Sequence, residues 1–596
     1  MAKKKNEQTD LIETSLVSQN PQILKPRLHK MIIKNFRSIG AKPVEIELDD
    51  IVILVGPNNV GKSSVLKAYE LVMNHGSNKC VLSKEDFPNG NIETDQHPEI
   101  ELQTIVYDNS PGEQWIETTK EGEKLVRERW TWYKEGQPIR QGYNVIDQAW
   151  SGNVPWGAPN VAKSRRPEPH RINAFDSPEE QAKAITELLI KILNDRVKNI
   201  KSDEKEKSAY ENIIESIKQF QRKVVSDSQK EIDEVEQQLS KLISQIFPNH
   251  LIKFDAKPEE NIDKSISLFK ANPQLLMGPK DGYMSTIDRQ GSGARRTLLW
   301  TALRIITENQ KAQGDDSLND TRPNVLLLDE PEICLHPSAI RDACNVLYNL
   351  PKSGRWQVMV TTHSPIFIDM SRDNTTIIRV FKNEHDEVQG TTVFRPSKSQ
   401  LTKEDRENLK LLNIFDPYVA EFFFGGKTII VEGDTEYTAF KYIIAHKLEK
   451  FKNIHIIRAR GKATIVSLIK IFNHFGSDYS ILHDTDLPTV ERNGKNIVNG
   501  AWTKNKDILE EINKKNDGFR VRLFASVPYF EKAFLDERVD KEKPYNAFLQ
   551  LKENSEIFEH LEKLLVALSS DSTDIPNGCI EWSSFDELTR IVNNSL

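Results

Sequence analysis

Residues 51–66, IVILVGPNNVGKSSVL, leave few folds open to this chain. The apolar run Ile51 to Val55 reads as a buried strand, followed by a glycine-bearing turn and a helix beginning near Lys62. Gly56, Gly61, Lys62 and Ser63 occupy the fixed positions of the P-loop pattern G-x-x-x-x-G-K-[ST], with Asn58 and Asn59 inside the turn and Ser64 just after it. The spacing has a chemical reason. Glycines let backbone N–H groups curl around phosphates, and the helix N-terminus adds partial positive charge. Lys62 is expected to reach the β- and γ-phosphates of a nucleoside triphosphate, ATP, and Ser63 to ligate its Mg²⁺.

At 596 residues the chain is long enough for about three to four domains. A net charge of −7 argues against a surface coated in basic groups, although local patches would still suffice for nucleic acid. Cys80, Cys334, Cys344 and Cys579 lie far apart with no C-x-x-C pair. That spacing fits a reducing compartment and excludes a zinc ribbon or disulfide framework. No apolar run approaches a membrane span, and the start, MAKKKNEQTDLIETS, lacks the apolar stretch of a secretory signal. A cytoplasmic protein without a membrane partner is expected.

Residues 1–26 are polar and read as a flexible extension. A first ATPase part is expected over 27–176. Its strand LHKMIIK leads into N-F-R, VEIEL (44–48) alternates as a half-buried strand, and residues 99–107 and 125–133 read as antiparallel strands. This opening resembles the N-terminal lobe of ABC-type ATPases of the recombination and chromosome-maintenance kind. Gln103 reads equally as a Mg²⁺-sensing glutamine or an ordinary strand residue. Residues 138–173, rich in Pro, Gly and Trp, are expected to be irregular. Over 177–247 glycine vanishes, and apolar residues recur at helical spacing: Ile213, Ile217, Phe220 and Val224, then Ile232, Val235, Leu239, Leu242 and Ile246. A helical insertion contributing to dimerisation is expected there.

A second ATPase part is expected over 248–400. VLLLDEPE (325–332) is an apolar strand ending in acids, the Walker B pattern, with Asp329 expected on Mg²⁺ and Glu330 polarising the attacking water. About 30 residues earlier, DRQGSGARRTLLW resembles a degenerate ABC signature motif, which would set Ser292 and Gly293 against ATP bound on a partner subunit. WQVMVTTHSP ends in His363, which matches the switch histidine at the γ-phosphate. The resemblance implies an ABC-type head split by the helical insertion. Such heads sandwich ATP between two copies, so a homodimer or a higher assembly of dimers follows from it.

After a connection over 401–425 comes FFFGGKTIIVEGDTEYTAF. A buried strand delivers Glu432 to a glycine turn, a helix carries Glu436, and a second strand, DYSILHDTD, ends at Asp484 and Asp486. Carboxylates gathered at the ends of neighbouring parallel strands repel one another, and their use is to hold hard divalent cations. The pattern resembles the Toprim fold, a Rossmann-like parallel sheet, here expected over 426–596. The cysteine count excludes a primase, and about 110 residues after Asp486 are too few for a type II topoisomerase core. An α/β multidomain chain with a split ABC-type head and a C-terminal Toprim domain resembles the OLD (overcoming lysogenization defect) nucleases. The resemblance implies that Glu432, Glu436, Asp484, Asp486 and Glu531 hold Mg²⁺ or Mn²⁺, with Glu432 acting as base in one version. It also implies that Lys543, in DKEKP, is the catalytic lysine, with Lys541 as competitor. Two ions ~4 Å apart would activate water and stabilise the leaving oxygen. Arg458, Arg460 and Lys462, in RARGK, read either as a phosphate grip or as a solvated turn. Residues 545–596 receive no chemistry.

The expectation is thus an ATP-binding, divalent-metal-dependent DNA endonuclease, working in antiphage defence as the resemblance implies. Relatives act alone, with a helicase-like partner, or beside a reverse transcriptase and its DNA–RNA product. The alternative is a DNA-repair ATPase whose Toprim domain is a non-cleaving DNA platform; the intact carboxylate set argues against it.

Overall fold

The strand Ile51–Val55 is buried at every residue, because a run of five apolar side chains needs a sheet covered on both faces. It lies inside a six-stranded sheet ordered Val388–Phe394, Thr375–Lys382, Ile51–Val55, Trp356–Thr361, Asn324–Asp329, Glu168–Ile172. All pairings are parallel except that of the edge strand Val388–Phe394. Parallel pairing brings the P-loop, Asp329 and the residues after Thr361 to one edge, the usual position of ligand sites in such sheets. The computed structural model describes residues 26–92, 95–120, 122–173, 176–187, 215–217, 219–220, 223, 276–279, 282–312, 323–372, 374–382, 388–395, 401–416, 419–492, 494–515, 518–535 and 542–595. Among these, no helix is long and apolar enough to cross a membrane.

A seven-stranded antiparallel sheet includes Arg27–Lys34, Val44–Glu47, Glu99–Val106 and Lys124–Thr131. Its inward residues, among them Met31, Ile33, Ile100 and Leu102, share one hydrophobic core with Val65, Leu66 and Tyr69 of the helix Lys62–Met73. The region 138–173 is not the irregular loop expected. It forms the strands Ile139–Asn144, Ala149–Ser151 and Glu168–Ile172 and the helix Pro159–Ser164. Pro169 is tolerated because its strand is at a sheet edge. Buried Glu128 holds the segment in place, accepting from Arg140 Nε at 2.8 Å and Arg166 Nε at 2.7 Å.

The chain divides into two compact units, one of Met1–Asn173, Asn319–Ile333 and Leu347–Leu596, the other of Ala174–Leu318 and Cys334–Val346. In the second unit Ser292 and Gly293 open the helix Ser292–Ala312. The flexible extension expected over 1–26 falls almost wholly outside the described residues, as does most of the helical insertion expected over 177–247, including Ile213, Val224 and the series Ile232 to Ile246. Of the first apolar series Ile217 and Phe220 are described, Ile217 half-buried and Phe220 exposed.

In the first unit the connection is a docked element. The helix Lys403–Phe415 begins with a capping box between Thr402 and Asp405. Asp405 also accepts from Ser467 and Lys470 of the helix Lys462–Phe475, at 2.8 and 2.6 Å. Three successive phenylalanines then face three partners. Phe422 packs on Phe472, Phe423 on Phe394 of the ATPase sheet, and Phe424 stacks near His363 with ring centroids 6.4 Å apart. The Toprim sheet follows, ordered Ile454–Arg458, Lys427–Val431, Tyr479–Asp484, Val521–Ser526, Cys579–Glu581, with only the last strand antiparallel. Residues 545–596 therefore complete the sheet and its helical cover rather than trailing from it.

Phe423 is fully buried, so Phe423→Ala should cost about 3–5 kcal/mol. The expected readout is a lower thermal midpoint together with faster limited proteolysis between residues 401 and 426; unchanged cleavage there would contradict the docking.

Candidate active sites

The P-loop backbone needs its glycines. Gly56 has φ +140°, and a Cβ there would lie 2.0 Å from Val380 O; Gly61 has φ +96° and a Cβ would meet Ser38 Oγ at 2.6 Å. Asn59 also takes a positive φ, 61°, and Asn58, Asn59 and Ser63 are exposed at the mouth of the loop. Ser64 is buried beneath it, its amide donating to Gly61 O. Lys62 is buried and donates to Gly56 O at 3.0 Å and Pro57 O at 2.8 Å. Burial lowers its pKa, opposed by Glu330, Asp329 and Glu332. Ser63 Oγ donates to Asp329 Oδ1 at 2.9 Å, and Thr361 Oγ1 donates to the same oxygen at 2.6 Å. A hydroxyl and a carboxylate in contact supply the hard oxygen donors that Mg²⁺ prefers.

Glu330 sits in the left-handed region, φ 46°, with its amide donating to Thr361 O at 3.0 Å, and its Oε1 lies 3.3 Å from His363 Nε2. Burial and the Lys62 ammonium hold His363 below the usual imidazole range, so the ring is neutral at pH 7. Sequence reading passed over Glu332. This carboxyl is pushed up by burial and accepts the His363 amide at 2.6 Å, which fixes the backbone of the histidine. Its place in D-E-P-E was the available signal. Gln103 donates to Glu101 Oε1 at 2.9 Å within the antiparallel sheet, as an ordinary strand glutamine does. In the second unit, considered alone, a Cβ on Gly293 would meet Cys334 O at 3.0 Å.

In the Toprim sheet Glu432 and Asp484 leave adjacent parallel strands, and Glu432 Oε2 accepts the Asp484 amide at 3.1 Å. Asp484 Oδ1 accepts the Phe530 amide at 2.8 Å, tying it to the helix Phe530–Phe534 that carries Glu531. Glu531 Oε1 accepts from Thr435, beside Glu436, at 3.0 Å and lies 3.3 Å from Lys543 Nζ. The fold thus gathers Glu432, Glu436, Asp484, Asp486, Glu531 and Lys543; Lys541 lies outside the described residues. Burial pushes the Glu436 carboxyl up to about 8, helped by Glu432 and Glu531. Burial followed by repulsion from Glu436 and Glu432 raises Asp484 well above the carboxylate range. Burial also raises Glu432, opposed chiefly by Lys462. The cluster is not a preformed ligand shell: among the described residues no three such groups are already drawn together to hold an ion. Each carboxylate is occupied by an amide, a hydroxyl or a lysine. A donor set of buried, mutually repelling oxygens nevertheless fits hard divalent ions, which would relieve both burial and repulsion.

RARGK is not a solvated turn as a whole, and its three cations differ. Arg458 pairs with Asp434 at 2.9 Å and lies over Tyr437, Arg460 is exposed, and Lys462 is buried against Asp486. Sequence reading also missed His483, which is fully buried. Its Nε2 accepts from Trp582 Nε1 at 3.2 Å, so its Nδ1–H faces Asp484 O at 2.8 Å. Burial pushes His483 down to about 3, so it is a neutral spacer beneath the site.

Residues 27–368, more than half of the chain, match the family described as AAA ATPase domain, and residues 423–486 match the Toprim domain of overcoming lysogenization defect-like proteins. The chain belongs to the OLD family of ATPase–Toprim nucleases. It is 24% identical to the Old nuclease of Escherichia phage P2 over 502 residues, 81% of this chain and 80% of that protein. It is 22% identical to the OLD nuclease of Thermus scotoductus, over 87% of this chain and 93% of that one. Similarity to Endonuclease GajA of Bacillus cereus, 25% identical, spans 38% of this chain and 36% of the relative. ATPase and endonuclease activities go with this membership.

The raised carboxyls set a pH dependence. Glu436 titrates near 8 when folded and near 4.5 when unfolded, so folding takes up a proton between those values. No penalty exists below about pH 4.5; it grows as pH rises and is complete above about 8. Without divalent ions the thermal midpoint should fall between pH 6 and 8.5, and Glu436→Gln should flatten that slope. Added Mg²⁺ should stabilise more at pH 8.5 than at pH 6, because binding displaces the proton. Equal Mg²⁺ shifts at both pH values would contradict the cluster.

Proposed function

We propose that this enzyme hydrolyses DNA phosphodiester bonds at the Toprim carboxylates, using Mg²⁺ or Mn²⁺, under the control of ATP bound to its head. The reading rests on one observation above others: adjacent parallel strands deliver Glu432 and Asp484 to one edge, where Glu432 Oε2 accepts the Asp484 amide at 3.1 Å and buried Glu436 follows one turn on. Glu432, Glu436, Asp484, Asp486 and Glu531 would hold the ions. When bound, the ions supply Lewis acidity toward the phosphate and an acidified water. As an alternative to binding an ion, Glu432, whose carboxyl burial raises, would take up the proton of the attacking water. Lys543, half-exposed and steered by Glu531, offers its ammonium to the charge that develops on the phosphate. In the head, Lys62 and Ser63 address the triphosphate, Asp329 the accompanying ion, and Glu330 with His363 the water at the γ-phosphate. Ser292 and Gly293 would complete the ATP site of a second copy, which makes the working form a homodimer or an assembly of dimers. The contact of His363 with Phe424, eight residues before Glu432, supports control of cutting by nucleotide. The family supports a cytoplasmic role in defence against phage.

The test is incubation with supercoiled plasmid and Mg²⁺ or Mn²⁺, with and without ATP. Wild type should give nicked or linear product; Asp484→Ala should give none, and Lys543→Ala should be slower by about a hundredfold. Glu330→Gln should slow ATP hydrolysis by about a hundredfold or more while retaining nucleotide binding. DNA binding without cleavage under every condition would favour the non-cutting platform instead.

A further inference from the structure

We infer that Lys462 is the resident cation of the Toprim carboxylate cluster, a positioning residue that holds Asp486 and competes for it with the incoming divalent ion. The inference rests on the metal-binding reading proposed above.

The turn that carries Lys462 is stitched to the strand that carries Glu432. Ala459 N donates to Val431 O at 2.9 Å and Gly461 N to Glu432 O at 3.0 Å. Arg460 (φ 60°) and Gly461 (φ 124°) turn the chain sharply, so that Lys462 opens the helix Lys462–Phe475. Its side chain is 3% exposed. Its Nζ lies 2.5 Å from Asp486 Oδ2 and 3.1 Å from Ala501 O. Asp486 is equally constrained, with φ 58° and its amide donating to Pro528 O at 2.8 Å. A buried ammonium must remain paired, and this one is anchored at both ends. While it is paired in this way it is held away from a DNA phosphate, whereas Lys543 and Arg460 face solvent.

The charge balance gives the pair its purpose. Five carboxylates meet two lysines, and only Lys462 lies among the buried groups, where it also restrains Glu432 against burial. With the lysine on Asp486, the cluster keeps its shape before any ion arrives. Once an ion approaches, Lys462 and the ion are like charges with one carboxylate between them. A single and a double positive charge ~5 Å apart repel enough, even at the dielectric constant of water, to weaken ion binding by about tenfold. Lys462 thus sets the divalent concentration at which the site fills.

The experiment titrates Mn²⁺ into the full chain without DNA and follows the free ion by electron paramagnetic resonance. Lys462→Met should bind Mn²⁺ at least about tenfold more tightly than wild type, and Lys462→Arg, which keeps the charge, should stay close to wild type. Equal or weaker binding by Lys462→Met would overturn the inference while leaving the metal reading intact. No Mn²⁺ binding by wild type, with none lost in Asp484→Ala, would remove both. A second measurement uses only wild type: amine labelling read by mass spectrometry should find Lys462 protected without divalent ion and labelled several-fold faster with Mg²⁺. Unchanged labelling beside demonstrated Mn²⁺ binding would equally overturn it.

Discussion

Repulsion between buried carboxylates is the constraint on which the Toprim half depends. Parallel strands deliver Glu432 and Asp484 to the same edge, and the first turn of the next helix adds Glu436. Left alone, such a group favours protonation and costs stability as pH rises. The surrounding backbone answers with amides from Asp484 and Phe530, and the side chains with Thr435, Lys462 and Lys543. The arrangement is held short of collapse and keeps oxygen donors of the kind that hard divalent ions take.

The ATPase half solves a different electrostatic problem with the same topology. Asp329 and Glu330 leave a parallel strand beside the P-loop, but they are spread apart by function: Asp329 takes two hydroxyls, and Glu330 turns in the left-handed region toward His363. Lys62 lies close enough for both acids to support its ammonium against burial. The two sites meet through the connection. Phe422, Phe423 and Phe424 pack on the Toprim helix, the ATPase sheet and His363 respectively, so the strand bearing Glu432 begins from a fixed point on the head.

Some features that looked unremarkable in the sequence acquire their role only by packing. Residues 138–173 carry the composition of a loop, yet Arg140 and Arg166 converge on buried Glu128 and order the segment into strands. The tail beyond Lys543 carries no motif, but its strand Cys579–Glu581 closes the Toprim sheet and Trp582 reaches the histidine next to Asp484. RARGK shows basic residues, and basic residues invite a phosphate reading; burial reverses that reading for Lys462.

By itself the sequence determined the P-loop, the Walker acids and the Toprim carboxylates, together with the split head and parallel sheets that carry them. Those depend on local spacing: a glycine where the backbone must turn, an acid at the end of an apolar strand. Only the tertiary structure decided which cation answers which acid. Lys462 with Asp486, Lys543 with Glu531 and Trp582 with His483 are set by strand order and helix docking across tens of residues, and no periodicity in the chain encodes those distances.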